Sequence, residues 1–166
     1  MISNKRYISV HEACHTVMAL LNNCYVPEVV VTQRCGLTIY YQFLNLKTSR
    51  NKECQIYYAG FLGERYLHHQ FYNTKFPSNL KEGSKKDFYR IYYLSKHYKL
   101  KLSSVKNTAN KKIAKYWVDI EKVAKVLFYE NSIDFIGLKK ILVAGPNKAY
   151  WKNKFKTIEN KYKITS

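Results

Sequence analysis

His11-Glu12-Ala13-Cys14-His15 lies inside a run whose apolar residues, Val10, Cys14, Val17, Met18 and Leu21, recur at helical spacing. A helix is therefore predicted from about Asn4 to Leu21, ended by Asn22-Asn23 and the later Pro27. On a helix, residues four apart share a face, so His11 and His15 can hold one metal ion, with Glu12 about 100° round the axis. The arrangement suits zinc, one per chain, with Glu12 as general base toward the water that the metal activates. A core helix with two internally satisfied histidines is the reading that the motif alone leaves open.

Two histidines and a water leave a catalytic zinc one protein ligand short. The candidates are Glu64, Asp87, His68, His69 and His97. Asp87 follows Gly83-Ser84-Lys85-Lys86 at the start of a predicted helix, where a carboxylate is held rigidly at an element boundary. The same Ser84-x-x-Asp87 pattern also reads as a helix capping box, in which the carboxylate only satisfies backbone donors. Spacing alone leaves those two roles open. His68-His69 and His97 read as solvated groups near helix C-termini, where positive charge is favoured. Cys14 stands only about 60° from His11 on the helical wheel, and its expected role is packing.

The rest of the chain predicts a mainly α (α+β) fold. A short β-hairpin or small sheet follows the first helix, from Val29-Val30-Val31-Thr32 and from Leu37 to Phe43, parted by Gly36. Further helices are expected at about Arg50 to Tyr72, Lys85 to Tyr98, and Thr108 to Tyr129, with Phe76-Pro77-Ser78-Asn79 and Gly83-Ser84 in a loop. The helix from Thr108 carries a stripe at Ile113, Trp117, Ile120, Ala124 and Leu127. Asp134 caps a short helix from Phe135 to Val143, stopped by Gly145-Pro146. Residues 1–145 then form one domain, and 146–166 a basic tail expected to fray or dock weakly.

Composition narrows the setting. The longest apolar run, Val17 to Leu21, is far short of the ~18 residues of a membrane span, and the first residues do not form a secretory signal. Cys14, Cys24, Cys35 and Cys54 match neither a zinc knuckle nor a disulfide framework, so reduced thiols in the cytoplasm are expected. The formal charge of +18 comes from 24 Lys and 5 Arg against 8 Glu and 3 Asp, which attracts nucleic acid, acidic polypeptide or anionic surfaces. Enrichment in Lys, Asn, Tyr and Ile together also matches the codon bias of an AT-rich genome. With no RNP, helix-turn-helix or zinc-finger signature, nucleic acid is the least favoured partner.

The stretch from Ile8 to Ala19 resembles the H-E-A-G-H segment of the peptidase domain of FtsH-type ATP-dependent zinc metalloproteases. Ala59-Gly60-Phe61-Leu62-Gly63-Glu64 is similar to that family's G-G-R-A-A-E segment. Gly83-Ser84-Lys85-Lys86-Asp87-Phe88 is similar to its G-A-x-N-D-L segment, with the matching order and spacing. The resemblance covers about residues 5 to 143. It implies a zincin-like helical peptidase domain, His11, His15 and Asp87 as zinc ligands, Glu12 as catalytic base, and polypeptide substrate. Glu64 stands as an alternative ligand or as a group supporting one from behind.

Cys14 replaces the family's glycine, and Phe61 its arginine. The sequence carries no G-x-x-x-x-G-K-[ST] phosphate loop and no apolar run of spanning length. The resemblance therefore implies either a peptidase for unfolded or flexible polypeptide, or one that relies on an ATPase partner in trans. The family's ring assembly is supported by its ATPase domains, which leaves homo-oligomerisation here open. A regulatory module that keeps the fold and perhaps the metal is the second reading, and a basic nucleic-acid-binding protein the third.

Overall fold

Ser3 opens the chain's first helix by accepting the Arg6 N–H on its side chain, satisfying one of the donors a helix start leaves exposed. The computed structural model describes residues 3–41, 46–72 and 84–164, with the backbone alone over 46–49. The first helix, α1 (Asn4–Leu21), is buried at every residue from Ser9 to Leu20, so it threads the core. It is followed by β1 (Tyr25–Val31), β2 (Gly36–Tyr41) and the long helix α2 (Leu46–Phe71). Then come α3 (Lys85–Tyr98), α4 (Leu102–Lys115), α5 (Trp117–Glu130), β3 (Ser132–Asp134), α6 (Phe135–Val143) and α7 (Lys148–Tyr162). The architecture is mainly α with one small sheet after the first helix, as the sequence predicts.

The sheet runs in the order β2-β1-β3, both pairings antiparallel. Val29 faces Thr38 on one side and Ile133 on the other, which centres β1. The register slips between Tyr25 and Glu28, at Pro27, whose missing N–H cannot serve a regular ladder. β2 and β3 are the two outer strands, with β2 on the side of Glu12. The β3 strand was not foreseen, because Ser132-Ile133-Asp134 is too short to show an alternation. The positions of the second predicted strand beyond Tyr41, and of the loop at 76–79, lie outside the described residues.

Three expectations are corrected. The single helix predicted from Thr108 to Tyr129 is two helices, broken at Tyr116, whose backbone (φ −107°, ψ 21°) leaves the helical range. The apolar stripe persists across the break, because Tyr116 is itself buried and its ring packs against Tyr150 and Trp151 at 5.3 and 5.7 Å. His68 is not a solvated residue: it is buried, with its Nδ1 3.0 Å from the Tyr7 hydroxyl, while His69 beside it is exposed.

The third correction is the basic tail, which neither frays nor docks weakly. Trp151, Phe155 and Ile158, spaced four and three apart, form one fully buried face of α7. Its lysines have a task as well. Lys154 Nζ donates to Leu21 O and Asn23 Oδ1 at 3.3 and 2.8 Å, and Lys161 Nζ to Asn23 O at 3.2 Å. These ammonium groups close the C-terminal end of α1, where free carbonyls and the helix dipole favour positive charge. Asp119, wholly buried on α5, anchors the same helix by accepting from Trp151 Nε1 at 3.0 Å and Asn147 Nδ2 at 2.7 Å.

Replacing Trp151 with Ala is expected to cost about 3–5 kcal/mol of unfolding free energy in urea titration, the range for deleting a large buried aromatic. A loss below about 1 kcal/mol would show that α7 is a loosely held appendage.

Candidate metal centre

The two histidines of α1 are held by a single face of α2. Ile56, Gly60 and Glu64 stand four residues apart, so they form one row along that helix. His15 Nδ1 lies 2.7 Å from Ile56 O, and His11 Nδ1 lies 2.9 Å from Glu64 Oε1. A carbonyl only accepts, so His15 must carry its proton on Nδ1, and a carboxylate sets His11 the same way. Gly60 between them makes the approach possible. A Cβ there would come within 2.6 Å of the Nε2 atoms of both His11 and His15. Gly63 plays the corresponding part for Cys14, whose Sγ would lie 2.1 Å from a Cβ at that position.

The third group arrives from α3. Asp87 sits in the first turn of that helix, and Phe88 beside it packs edge-on against Phe61 of α2 with ring centroids 4.9 Å apart. Asp87 Oδ2 lies 3.1 Å from His11 Nε2 and 3.3 Å from His15 Nε2, and the two Nε2 atoms are 2.8 Å apart. The capping-box reading of Asp87 fails: Ser84 makes no side-chain cap hydrogen bond and its buried hydroxyl has no partner.

With both Nδ1 positions donating, neutral imidazoles turn their Nε2 lone pairs toward each other and toward the carboxylate. Asp87 Oδ2 is buried, and despite its closeness to both rings it receives no aligned hydrogen bond. Three such groups converging in a buried site need a shared proton or a metal cation between them, and His11, His15 and Asp87 form a group that could hold a metal ion. The two Asp87 separations match a zinc shell, while the two Nε2 atoms stand closer together than its bonds would hold them. Bonds of about 2.0–2.1 Å in a tetrahedral set place ligand atoms roughly 3.3 Å apart.

Electrostatics agree with this requirement. Burial by itself would lower the His11 pKa, but the facing Asp87 and Glu64 carboxylates outweigh it and lift the imidazole to about 10. For Asp87, burial pulls upward, yet the two histidines hold the carboxyl well below the usual range. The pocket is thus built to attract positive charge, which a proton supplies where a metal does not. Burial raises Glu64, and His11 only partly offsets that. The Cys14 thiol is pushed well above its ordinary value by burial and by the nearby Glu64 and Glu12, so it packs as a neutral side chain.

The Glu12 carboxylate, beside the ligand cluster, is held by the edge strand β2. Thr38 Oγ1 donates to Glu12 Oε2 at 2.7 Å, and a Cβ at Gly36 would stand 2.3 Å from Glu12 Cγ. The carboxylate is thereby gripped between two residues of β2. Of the residues singled out from sequence, the fold brings together His11, Glu12, His15, Glu64 and Asp87. It leaves His69 and His97 exposed, the latter with its ring 4.2 Å from Tyr93, while buried His68 pairs with Tyr7. Thr38, Gly36, Gly60 and the Ile56 carbonyl were not foreseen. Only Gly60 carried any signal, as a glycine inside a predicted helix with no turn to make, while Gly36 read as the break between two strands.

No protein family and no curated protein matches this sequence.

Gly60→Ala is diagnostic. In an ordinary helix interior the change would stabilise the protein by about 1 kcal/mol, whereas here the added Cβ meets both imidazoles. We expect zinc affinity, measured by competition with a chromogenic chelator, to fall by at least about 100-fold. Unchanged affinity with raised stability would show that the histidines are merely packed.

Proposed function

We propose that the chain is a zinc-dependent endopeptidase that hydrolyses unfolded or flexible polypeptide, a reading that places it near the FtsH-type peptidases it resembles. The observation that carries it is the pairing of a convergent His11, His15 and Asp87 group with a carboxylate, Glu12, on the next residue of the same helix. Zinc held by those three residues would supply Lewis acidity, polarising a scissile carbonyl and acidifying water.

The chain's own groups supply the rest. His11 and His15 present Nε2 because α2 fixes their other nitrogens, so both rings are already turned toward the metal position. Glu12 takes the proton of the attacking water and returns it to the departing amine. Thr38 donates its hydroxyl to Oε2, which fixes the carboxylate that handles the proton. Partial exposure of Asp87 leaves an approach for an extended chain. Cys14, Cys24, Cys35 and Cys54 are all free of disulfides, in keeping with a reducing, cytoplasmic setting. Among the described residues no helix is long and apolar enough to cross a membrane.

The decisive variants separate binding from chemistry. Glu12→Gln should keep near-stoichiometric zinc and lose cleavage of unfolded casein by at least about 1,000-fold, while Asp87→Ala loses both. Thr38→Val should keep zinc and lower kcat about tenfold, with Thr38→Ser restoring most of it, the expected size for one charge-assisted hydrogen bond. Wild-type zinc content without any chelator-sensitive cleavage would move the weight to the regulatory reading.

A further inference from the structure

Where α1, α2 and α5 meet there is a cavity of about 390 Å³ that shares no lining residue with the metal group. Its floor is apolar: Val10, Leu67 and Ala124 are buried there, with Phe128 beside them. Its rim carries charge of both signs, from exposed Arg6 on α1 and exposed Glu121 and Lys125 on α5. Glu121 and Lys125 stand four residues apart, in the order and spacing that ordinarily close an ion pair along a helix. Among the described residues neither forms one, and both border the cavity instead. The Arg6 guanidinium lies over the Phe71 ring, 4.7 Å from its centroid, a contact that orients its planar fork.

We propose that this cavity binds a zwitterion of the amino-acid type, one molecule carrying an ammonium, a carboxylate and an apolar side chain, supplied free or as a dipeptide. Arg6 takes the carboxylate through paired N–H donors, and Lys125 adds a second positive charge. Glu121 accepts from the ammonium. The side chain is buried against Val10, Leu67 and Ala124 beside Phe128, the apolar lining with few polar groups that small-molecule sites share. The inference stands apart from the peptidase reading, because none of these residues belongs to the metal group.

Mixed charge is what separates this cavity from the rest of the surface. A chain with 29 basic residues presents cations in many places, whereas its acidic residues number only 11. A carboxylate on the same rim as Arg6 and Lys125 repels a simple anion, and the two cations repel a simple amine, so a ligand bearing both charges is preferred to either. The floor selects an apolar side chain over a polar one. Its one hydroxyl, on buried Ser9, already donates to Lys5 O at 2.8 Å.

Isothermal titration of the full chain tests this with phenylalanine, leucine, leucyl-leucine, 3-phenylpropionate, phenethylamine and glutamate as probes. Phenylalanine and leucine should bind, while phenylpropionate, which lacks the ammonium, and phenethylamine, which lacks the carboxylate, bind at least about tenfold more weakly than phenylalanine. Glu121→Gln should weaken phenylalanine about tenfold and leave phenylpropionate no weaker; Arg6→Gln should weaken phenylalanine about tenfold and leave phenethylamine no weaker. These side chains are exposed, so melting temperatures check that the variants fold, and Lys125→Gln carries the Arg6 expectation where loss of the Phe71 contact disturbs the helix. Tighter binding of leucine than of leucyl-leucine supports the free amino acid as occupant, and the reverse order supports the peptide. Phenylpropionate or glutamate binding as tightly as phenylalanine would reduce the cavity to general positive charge and overturn the proposal. So would affinity indifferent to Glu121 and Arg6, or no binding of any probe up to about 10 mM.

Discussion

Two hydrogen bonds made by the far nitrogens of two imidazoles determine the character of this protein. Because His15 gives its Nδ1 proton to a backbone carbonyl and His11 gives its own to Glu64, both rings present Nε2 inward, where Asp87 also points. A hydrophobic core would not tolerate three such groups within 3.3 Å of one another without a shared proton or a metal cation between them. The surrounding fold can be understood as the scaffold that sustains this unfavourable geometry: α1 buried on all sides, α2 laid along it, and α3 pinned by Phe88 against Phe61.

The close approach of α1 and α2 depends on absent atoms as much as on contacts. Gly60 opens the space in which the imidazoles meet, and Gly63 takes up the bulk of Cys14. Cys14 and Gly63 are complementary, so the larger residue within the H-E-x-x-H segment does not push the helix out of place. On the other flank Gly36 and Thr38 grip Glu12 from the outer strand, tying the acid to the same element that borders the site. Glu64 serves as the support of His11 through its Oε1, one of the two parts its sequence position allowed.

What was legible in the sequence follows from range. The histidine pair is four residues apart on one helix, so periodicity alone reveals it, and the Asp134 cap with the short helix behind it is equally local. Asp87 lies 72 positions beyond His15 (87 − 15), and spacing could not separate a ligand from a cap there. The resemblance favoured the ligand, and the fold brings Asp87 to the histidines. Partners such as Thr38 and the Ile56 carbonyl leave no local trace, since a threonine in a strand and a carbonyl in a helix are ordinary. The tail was misread because lysine density masked the helical spacing of Trp151, Phe155 and Ile158. The break at Tyr116 was hidden because the apolar stripe continues in phase across it.

The central claim is that the His11, His15 and Asp87 group is a metal site with a nitrogen and oxygen shell. X-ray absorption at the zinc edge, on protein reconstituted with one equivalent, reads that shell directly. The account predicts one zinc per chain with two imidazoles and only light-atom neighbours at about 2.0–2.1 Å, falling to one imidazole in His15→Ala. Failure to take up zinc, or a sulfur neighbour at about 2.3 Å signalling Cys14 in the shell, would contradict it.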